Sequence, residues 1–191
     1  FIWSCLLGFY GWLTCIDRNS YLIIMSCYAP LFVNVSKDSV SGKKAWQWDS
    51  NLIGYDALNS YGSPSYYVQK LFSHYLGNKI VHITVANIPM QKAPLSKRDS
   101  AEGKAQKSVP TIFYSATMND TTGTLYPKIV NTTAQKQYVK INRDGNTKVA
   151  PEAALVVVKG DKPDETNTIT DREKIIPVTE TIKGIKKSFS R

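Results

Sequence analysis

The sequence is poor in the side chains that most often perform catalysis or bind metal ions. Its 191 residues include two histidines and three cysteines. The cysteines, Cys5, Cys15 and Cys27, lie on apolar segments near the start, in a pattern that fits neither a disulfide framework nor metal-ligand spacing. We therefore expect buried free thiols, no metal site and no cofactor.

Glutamate is missing from the first half of the chain. The first glutamate is Glu102. The carboxyl side chains before residue 90 are those of Asp17, Asp38, Asp49 and Asp56. A hydrolase mechanism that needs a pair of glutamates therefore cannot be housed in that half.

Arginine is scarce among the basic residues. Lys and Arg total 24 against 15 Asp and Glu, a formal net charge of +9, and most of the bases are lysines. Because nucleic-acid readers rely on bidentate arginine contacts, this charge indicates a solvated basic surface and no nucleic-acid partner. Hydrophobic residues make up 42% of the chain, which suffices for a packed core and excludes wholesale disorder.

A long unbroken apolar run is also lacking. Residues 1–16 are uncharged, but Asp17 and Arg18 interrupt them before the roughly 20 residues that a membrane-spanning helix needs. The run has no basic start of the kind found in secretory signals. A second apolar run covers residues 21–35. The pattern favours a buried helix followed by a buried strand at residues 22–27, with no membrane partner; an anchor formed by residues 1–35 is the alternative.

The rest of the first half predicts one clear helix. Ser63 suits an N-cap and Pro64 the first helical position, and Gly77 closes the segment, so we expect a helix over residues 64–75. Its apolar stripe is more typical of a core-facing surface than of a ligand surface.

From residue 79 onward the sequence predicts short strands joined by turns. Strands are predicted at residues 80–85, 112–118, 124–130, 138–141, 154–158, 175–178 and 179–185, with turns at 119–123 and 143–146. Pro127 places its strand at an edge or bulge. We therefore expect an α/β piece over residues 1–78 and an antiparallel β-sandwich over residues 79–191.

Four stretches in the first piece, in this order, resemble a known family. The stretches are D-R-N-S at 17–20, S-C-Y-A-P-L-F at 26–32, D-S-N-L-I at 49–53 and Y-G-S-P-S-Y-Y-V-Q-K-L-F at 61–72. They look like the C-terminal portion of α-L-arabinofuranosidases of glycoside hydrolase family 51. The sequence K-I-V-N-T-T at 128–133 is similar to a strand and turn of the same family.

The resemblance implies a fold and an activity. Residues 1–78 would be the last βα unit of a (β/α)8 barrel, and residues 79–191 a β-sandwich lacking its last strand. The family hydrolyses terminal arabinofuranosyl residues of arabinose-containing polysaccharides with retention, using two glutamates that lie outside this chain. We therefore expect a fragment that is inactive alone. The complete enzyme would be extracellular, or intracellular if the source is bacterial.

Four residues are candidates for the rim of the substrate site. They are Tyr28, Asn34, Trp46 and Trp48, chosen because they lie in the loop that follows the last barrel strand. The tryptophans could stack on sugar rings or pack the loop against the barrel, and the second is the more common role. The sequence departs from the family at Asp17 and Tyr21, which should be structural, and at residues 54–57.

Two further interpretations stay open. The sandwich could be a non-catalytic carbohydrate-binding or interaction module whose binding face is built from Tyr114, Tyr126 and Tyr138. Asn34, Asn119 and Asn131 begin N-glycosylation sequons, which matter only for a secreted eukaryotic protein.

Overall fold

A computed structural model describes residues 2–37, 51–93, 95, 97–145, 148–162, 165–186 and 188–190. These residues form three helices and twelve short strands, so the described chain is mostly β with few helices. The helices are α1 (Ile2–Arg18), α2 (Pro64–His74) and α3 (Lys97–Ala101). The strands are β1 (Phe32–Asn34), β2 (Ile53–Tyr55), β3 (Ser60–Gly62), β4 (Lys79–Ile80), β5 (Met90–Lys92), β6 (Ser108–Pro110), β7 (Ile112–Asn119), β8 (Thr124–Asn131), β9 (Lys140–Asn142), β10 (Glu152–Val157), β11 (Val178–Lys183) and β12 (Ser188–Ser190).

The chain divides into two compact units. The first, unit 1, is built from described residues within 1–6, 27–73 and 134–191. The second, unit 2, is built from those within 7–26 and 74–133.

Unit 1 contains three small sheets. In the first, β2 lies between β1, with which it pairs in parallel, and β3, with which it pairs antiparallel. The antiparallel pairs β10–β11 and β9–β12 make up the other two. The buried hydrophobic side chains of this unit come from distant parts of the sequence: Val33, Leu52, Val68, Ile175 and Ile185.

Helix α2 begins where the sequence predicts. The buried Ser63 hydroxyl donates to the carbonyl oxygen of Asn51 at 2.7 Å and accepts from the Tyr66 backbone N–H at 3.3 Å. Pro64 follows as the first helical residue, where its missing N–H costs nothing. The helix ends at His74, one residue before the predicted end.

Unit 2 is centred on the β7–β8 hairpin. The pairing runs from Ile112 opposite Asn131 to Asn119 opposite Thr124. The Asn119 Oδ1 accepts the backbone N–H groups of Thr121 and Thr122, and Gly123 adopts the left-handed conformation with φ 70°. Both predicted strands and their turn are confirmed.

Strand β8 is an edge of its sheet. In the described part of unit 2 the sheet has the order β4-β7-β8, and Pro127 lies within β8 opposite Ala116. Because proline cannot donate to a ladder, an edge strand is where it is tolerated. The predicted edge position is confirmed.

The end of α1 is clamped to this hairpin. The Asp17 carboxylate accepts from the Lys128 ammonium at 2.6 Å and from the Ser115 hydroxyl at 3.0 Å. Both charged side chains are only 10% exposed. The Arg18 guanidinium donates to the Tyr114 carbonyl oxygen and lies 5.2 Å from the centre of the Tyr114 ring. The predicted helix and the structural role of Asp17 are therefore confirmed.

The predicted strand at residues 22–27 is wrong. Residues 23–28 belong to no strand, and Leu22, Ile24 and Met25 are 69%, 97% and 79% exposed. A strand buried on both faces needs a ladder partner and layers on each side, and the described chain supplies none at this segment.

Two smaller expectations also change. The free thiol of Cys27 is exposed rather than buried, because Cys27 is the last residue of this exposed segment, while the free Cys15 is half-buried. Strand β4 ends at Ile80, whereas the prediction continued it to residue 85. The Val81 N–H, just beyond the strand, still donates to the Ala116 carbonyl oxygen. Within the described chain, the helices fall short of the length and apolar character needed to cross a bilayer.

Candidate functional site

The four rim candidates are only partly described. Trp46 and Trp48 lie outside the described residues. Tyr28 is half-buried in a segment without regular structure. Asn34 is exposed at the end of β1, where its Oδ1 accepts the Ser36 N–H at 2.9 Å. A role of these residues at a substrate rim stays a prediction.

The tyrosine face suggested for the sandwich is wrong. Tyr126 pairs with Thr117, three residues from Tyr114 on β7, so Tyr114 and Tyr126 lie on opposite faces of their sheet. The Tyr126 ring contacts Tyr75, with ring centres 6.0 Å apart. Tyr138 is 79% exposed and belongs to unit 1. The three rings therefore do not form one platform.

Unit 1 contains an open cleft of about 720 Å³. It is bordered by β2, β3 and the start of α2 on one side and by the segment before Ile175 on the other. Aromatic, hydroxyl and charged side chains line it together: Ile53, Ser60, Tyr61, Gly62, Tyr66, Tyr67, Thr170, Asp171, Arg172 and Glu173. We call this the tyrosine cleft.

Two of the three aromatic rings of the cleft pack directly against glycines. A Cβ at Gly54 would lie 2.4 Å from the Tyr61 ring, and a Cβ at Gly62 would lie 2.4 Å from the Tyr66 ring. Each ring therefore rests directly on backbone that only glycine provides. Tyr67 meets Tyr66 edge to face, with ring centres 5.3 Å apart. The rings are held in place before any ligand arrives.

The buried Asn167 fixes the opposite wall. Its amide nitrogen donates to the carbonyl oxygens of Gly62 at 2.7 Å and Ile175 at 2.9 Å, and its Oδ1 accepts the Ile175 N–H at 2.7 Å. Asn167 is 0% exposed and Ile175 1% exposed. One side chain thus ties the segment before Ile175 to the end of β3.

The polar groups of the cleft are largely free for a ligand. Asp171, Arg172 and Glu173 are exposed, and their side chains make no hydrogen bond or ion pair with the described residues; the Asp171 backbone bonds to Thr168. Burial raises the pKa of Tyr61, and a hydrogen bond from the Asn51 side chain, the smaller effect, lowers it. Burial also raises the pKa of Tyr67, helped by the neighbouring Tyr66 and Glu173. Both phenols therefore stay neutral and able to donate and accept hydrogen bonds.

Sequence reasoning missed the tyrosine cleft. Tyr67 belongs to the apolar stripe predicted to face the core, but it lines the cleft, whereas Val68 of the same stripe is buried. The available signal was the pair of glycines, Gly54 and Gly62, on adjacent strands beside aromatic residues.

Asp56 gives the β2–β3 turn a dependence on pH. Its Oδ1 accepts the N–H groups of Leu58 at 2.9 Å and Asn59 at 2.7 Å, and these bonds lower its pKa below the ordinary 3.8. A carboxyl group whose pKa is lower in the folded state than in the unfolded state stabilises the fold. This contribution is complete above the unfolded-state pKa and is lost as the pH falls through the folded-state pKa.

We expect Asp56→Asn, which keeps an accepting oxygen but does not titrate, to be less stable than wild type at pH 6. Because only the wild type loses the contribution of the Asp56 charge in acid, the difference in stability between the two proteins should be smaller at pH 3. Midpoints of urea unfolding at the two pH values measure it. A difference that stays constant or widens in acid would show that the Asp56 charge does not stabilise the turn.

Among the described residues, no acid of raised pKa stands out for catalysis. The carboxyl groups of the described chain whose pKa departs from its ordinary value are all shifted downward. Backbone N–H groups lower the pKa of Asp56 and Glu165, and basic side chains lower that of Glu102 and Asp120. No cluster of His, Cys, Asp or Glu suited to a metal ion occurs among the described residues.

The three sequons differ in exposure. Asn34 is exposed, whereas Asn119 and Asn131 are half-buried. The Oδ1 atoms of Asn119 and Asn131 already accept hydrogen bonds from residues that follow them. Glycosylation at any of the three stays a prediction.

Comparison with solved structures gives the class of fold. An arabinose-bound α-L-arabinofuranosidase designated MgGH51 matches with a TM-score of 0.73 at 24% identity, over 100% of this chain and 26% of its own. The family 51 enzyme of Thermotoga petrophila matches with a TM-score of 0.58 at 18% identity, over 74% of this chain and 29% of its own. The mostly-β fold with few helices is therefore shared with part of these glycoside hydrolases.

Sequence comparison gives the family. A family model described as "Alpha-L-arabinofuranosidase C-terminal domain" matches residues 3–190. The chain therefore belongs to the α-L-arabinofuranosidase C-terminal domain family, and the resemblance to glycoside hydrolase family 51 is confirmed.

Two relatives show how much of a longer protein the match covers. Alpha-L-arabinofuranosidase 1 of Arabidopsis thaliana is 31% identical over 70 residues, 37% of this chain and 9% of the relative. The extracellular exo-alpha-L-arabinofuranosidase of Streptomyces chartreusis is 29% identical over 86 residues, 45% of this chain and 10% of the relative. The matched region is about a tenth of each relative's length.

Proposed function

We propose that this chain forms the non-catalytic, C-terminal portion of a retaining α-L-arabinofuranosidase and does not hydrolyse substrate alone. The observation that carries the proposal is the family match over residues 3–190. In this proposal residues 1–78 contribute the end of a (β/α)8 barrel, and residues 79–191 contribute a β-sandwich beside it.

The distribution of carboxyl groups supports inactivity. Retaining hydrolysis needs a nucleophile and an acid/base about 5–5.5 Å apart, and the acid must keep its proton near neutral pH. The glutamates of this chain begin at Glu102, and the shifted carboxyl groups of its described residues have lowered pKa values. A group whose pKa is lowered is charged at neutral pH and cannot serve as that acid.

The exposed apolar segment supports the barrel assignment. Tyr21, Leu22, Ile24 and Met25 are between 69% and 97% exposed. Burying a large apolar side chain is worth about 1.5–3 kcal/mol, so such a run is favourable only where something covers it. In the proposal, earlier barrel segments of the complete enzyme cover it.

The proposed substrates are arabinose-containing polysaccharides and oligosaccharides, acted on by the complete enzyme. The relatives named as arabinofuranosidases support this choice. The printed name of the Streptomyces chartreusis relative, which calls that protein extracellular, supports a location outside the cell.

Covalent trapping tests the missing nucleophile. An arabinofuranosyl epoxide alkylates the nucleophilic carboxylate of a retaining enzyme, and intact-protein mass spectrometry detects the adduct. We expect no adduct on this chain under conditions in which the Streptomyces chartreusis enzyme, run in parallel, is labelled. One stoichiometric adduct that maps to a glutamate of this chain would overturn the proposal.

A further inference from the structure

We propose that the tyrosine cleft of unit 1 is a saccharide-binding site that holds a short, neutral oligosaccharide without hydrolysing it. The inference goes beyond the proposed function, because it concerns a binding site made from residues of this chain. Six of the lining side chains carry it: Tyr61, Tyr66, Tyr67, Asp171, Arg172 and Glu173.

The size and openness of the cleft suit such a ligand. Sites for small molecules typically enclose about 300–1,000 Å³, and this cleft of about 720 Å³ falls within that range. It is open to solvent, so a chain of sugars can enter sideways and extend beyond it.

The chemistry of the lining matches a sugar. Sugar rings offer apolar C–H faces and a rim of hydroxyl groups, and tyrosine supplies an apolar ring with a polar tip. The Tyr66 and Tyr67 hydroxyls make no hydrogen bond with the described residues. Asp171 and Glu173 can each accept two hydroxyl donors, while Arg172 donates to hydroxyl or ring oxygens.

The local charge favours a neutral ligand over an anion. Two carboxylates and one guanidinium give the cleft a net negative charge, although the whole chain carries +9. Asp56 adds a further carboxylate close enough to Arg172 for the guanidinium to lower its pKa. Phosphorylated or polyanionic ligands would be repelled here, in contrast to the basic surface elsewhere.

The site is built before the ligand binds. Gly54 and Gly62 seat the Tyr61 and Tyr66 rings, and Asn167 holds the wall that carries the charged side chains. A rigid site loses little conformational entropy on binding, which raises affinity.

Isothermal titration of the full chain with arabinoxylan oligosaccharides of four to six sugars tests the proposal. We expect saturable heat with a dissociation constant below about 1 mM, the weak end of specific binding. Tyr67→Ala should weaken binding at least tenfold. Arg172→Ala should also weaken it clearly, and because Arg172 is exposed this variant keeps the fold intact.

Tyr138→Ala is the matched control, since Tyr138 is an exposed tyrosine of the same unit outside the cleft, and its binding should be unchanged. The proposal is overturned by no heat at 10 mM oligosaccharide, by equal loss in the Tyr138 variant, or by binding of inorganic phosphate in preference to the sugar. Binding without turnover would support the site whether or not the complete enzyme is an arabinofuranosidase.

Discussion

Asp17→Ala is expected to lower the free energy of unfolding by about 3 kcal/mol. The Lys128 ammonium would lose its carboxylate partner at 2.6 Å while its side chain stays only 10% exposed. Removing one partner of a buried ion pair costs far more than the pair itself is worth, about 3–5 kcal/mol where burial is complete. The Ser115 hydroxyl would lose its acceptor at the same time. Urea unfolding followed by circular dichroism measures the change.

The double variant Asp17→Leu/Lys128→Met is the control for this prediction. It removes both charges and fills the space with apolar groups, so most of the lost stability should return. The role given to the Asp17–Lys128 ion pair is contradicted if Asp17→Ala lowers the free energy of unfolding by less than about 1 kcal/mol, the range of an exposed ion pair. It is also contradicted if the double variant is as unstable as the single one.

Asn167→Ala should cost about 3 kcal/mol or more. The substitution removes three hydrogen bonds at 2.7, 2.9 and 2.7 Å and takes the Asn167 partner from the buried N–H and carbonyl oxygen of Ile175 and from the half-buried carbonyl oxygen of Gly62. Each orphaned group costs about 1–3 kcal/mol. Since Asn167 ties the segment before Ile175 to Gly62, we also expect faster amide hydrogen exchange at residues 168–175 than in the wild type.

Thr181→Ala serves as the comparison for Asn167→Ala. Thr181 is an exposed residue of β11 in the same unit, outside the tyrosine cleft, so its loss should change stability by less than about 0.5 kcal/mol. If Asn167→Ala behaves like Thr181→Ala, or if exchange at residues 168–175 is unchanged, Asn167 does not anchor the wall of the cleft.

Local sequence signals predicted the elements that local chemistry determines. The Ser63-Pro64 start of α2 and the Asn119–Gly123 turn of the β7–β8 hairpin each need only neighbouring residues. The run at residues 22–27 has an equally clear pattern, but a buried strand depends on neighbours elsewhere in a fold. In the described chain those neighbours are absent, and the segment is exposed.

The candidate site was harder to predict, for the same reason. The tyrosine cleft joins side chains far apart in sequence, and the bond from Asn167 to Gly62 links residues 105 positions apart. Neither residue type marks a site by itself. The resemblance to arabinofuranosidases instead pointed to the loop after the last barrel strand, whose Trp46 and Trp48 lie outside the described residues.

The most direct test of the central claim is turnover of an aryl α-L-arabinofuranoside by the purified chain. In the proposal the chain holds no nucleophile and acid/base at the required separation, so release of the aryl alcohol should not exceed the rate in buffer, even at high protein concentration. A rate well above buffer would contradict the account, provided that it copurifies with the chain and is abolished by replacing one of its glutamates with glutamine.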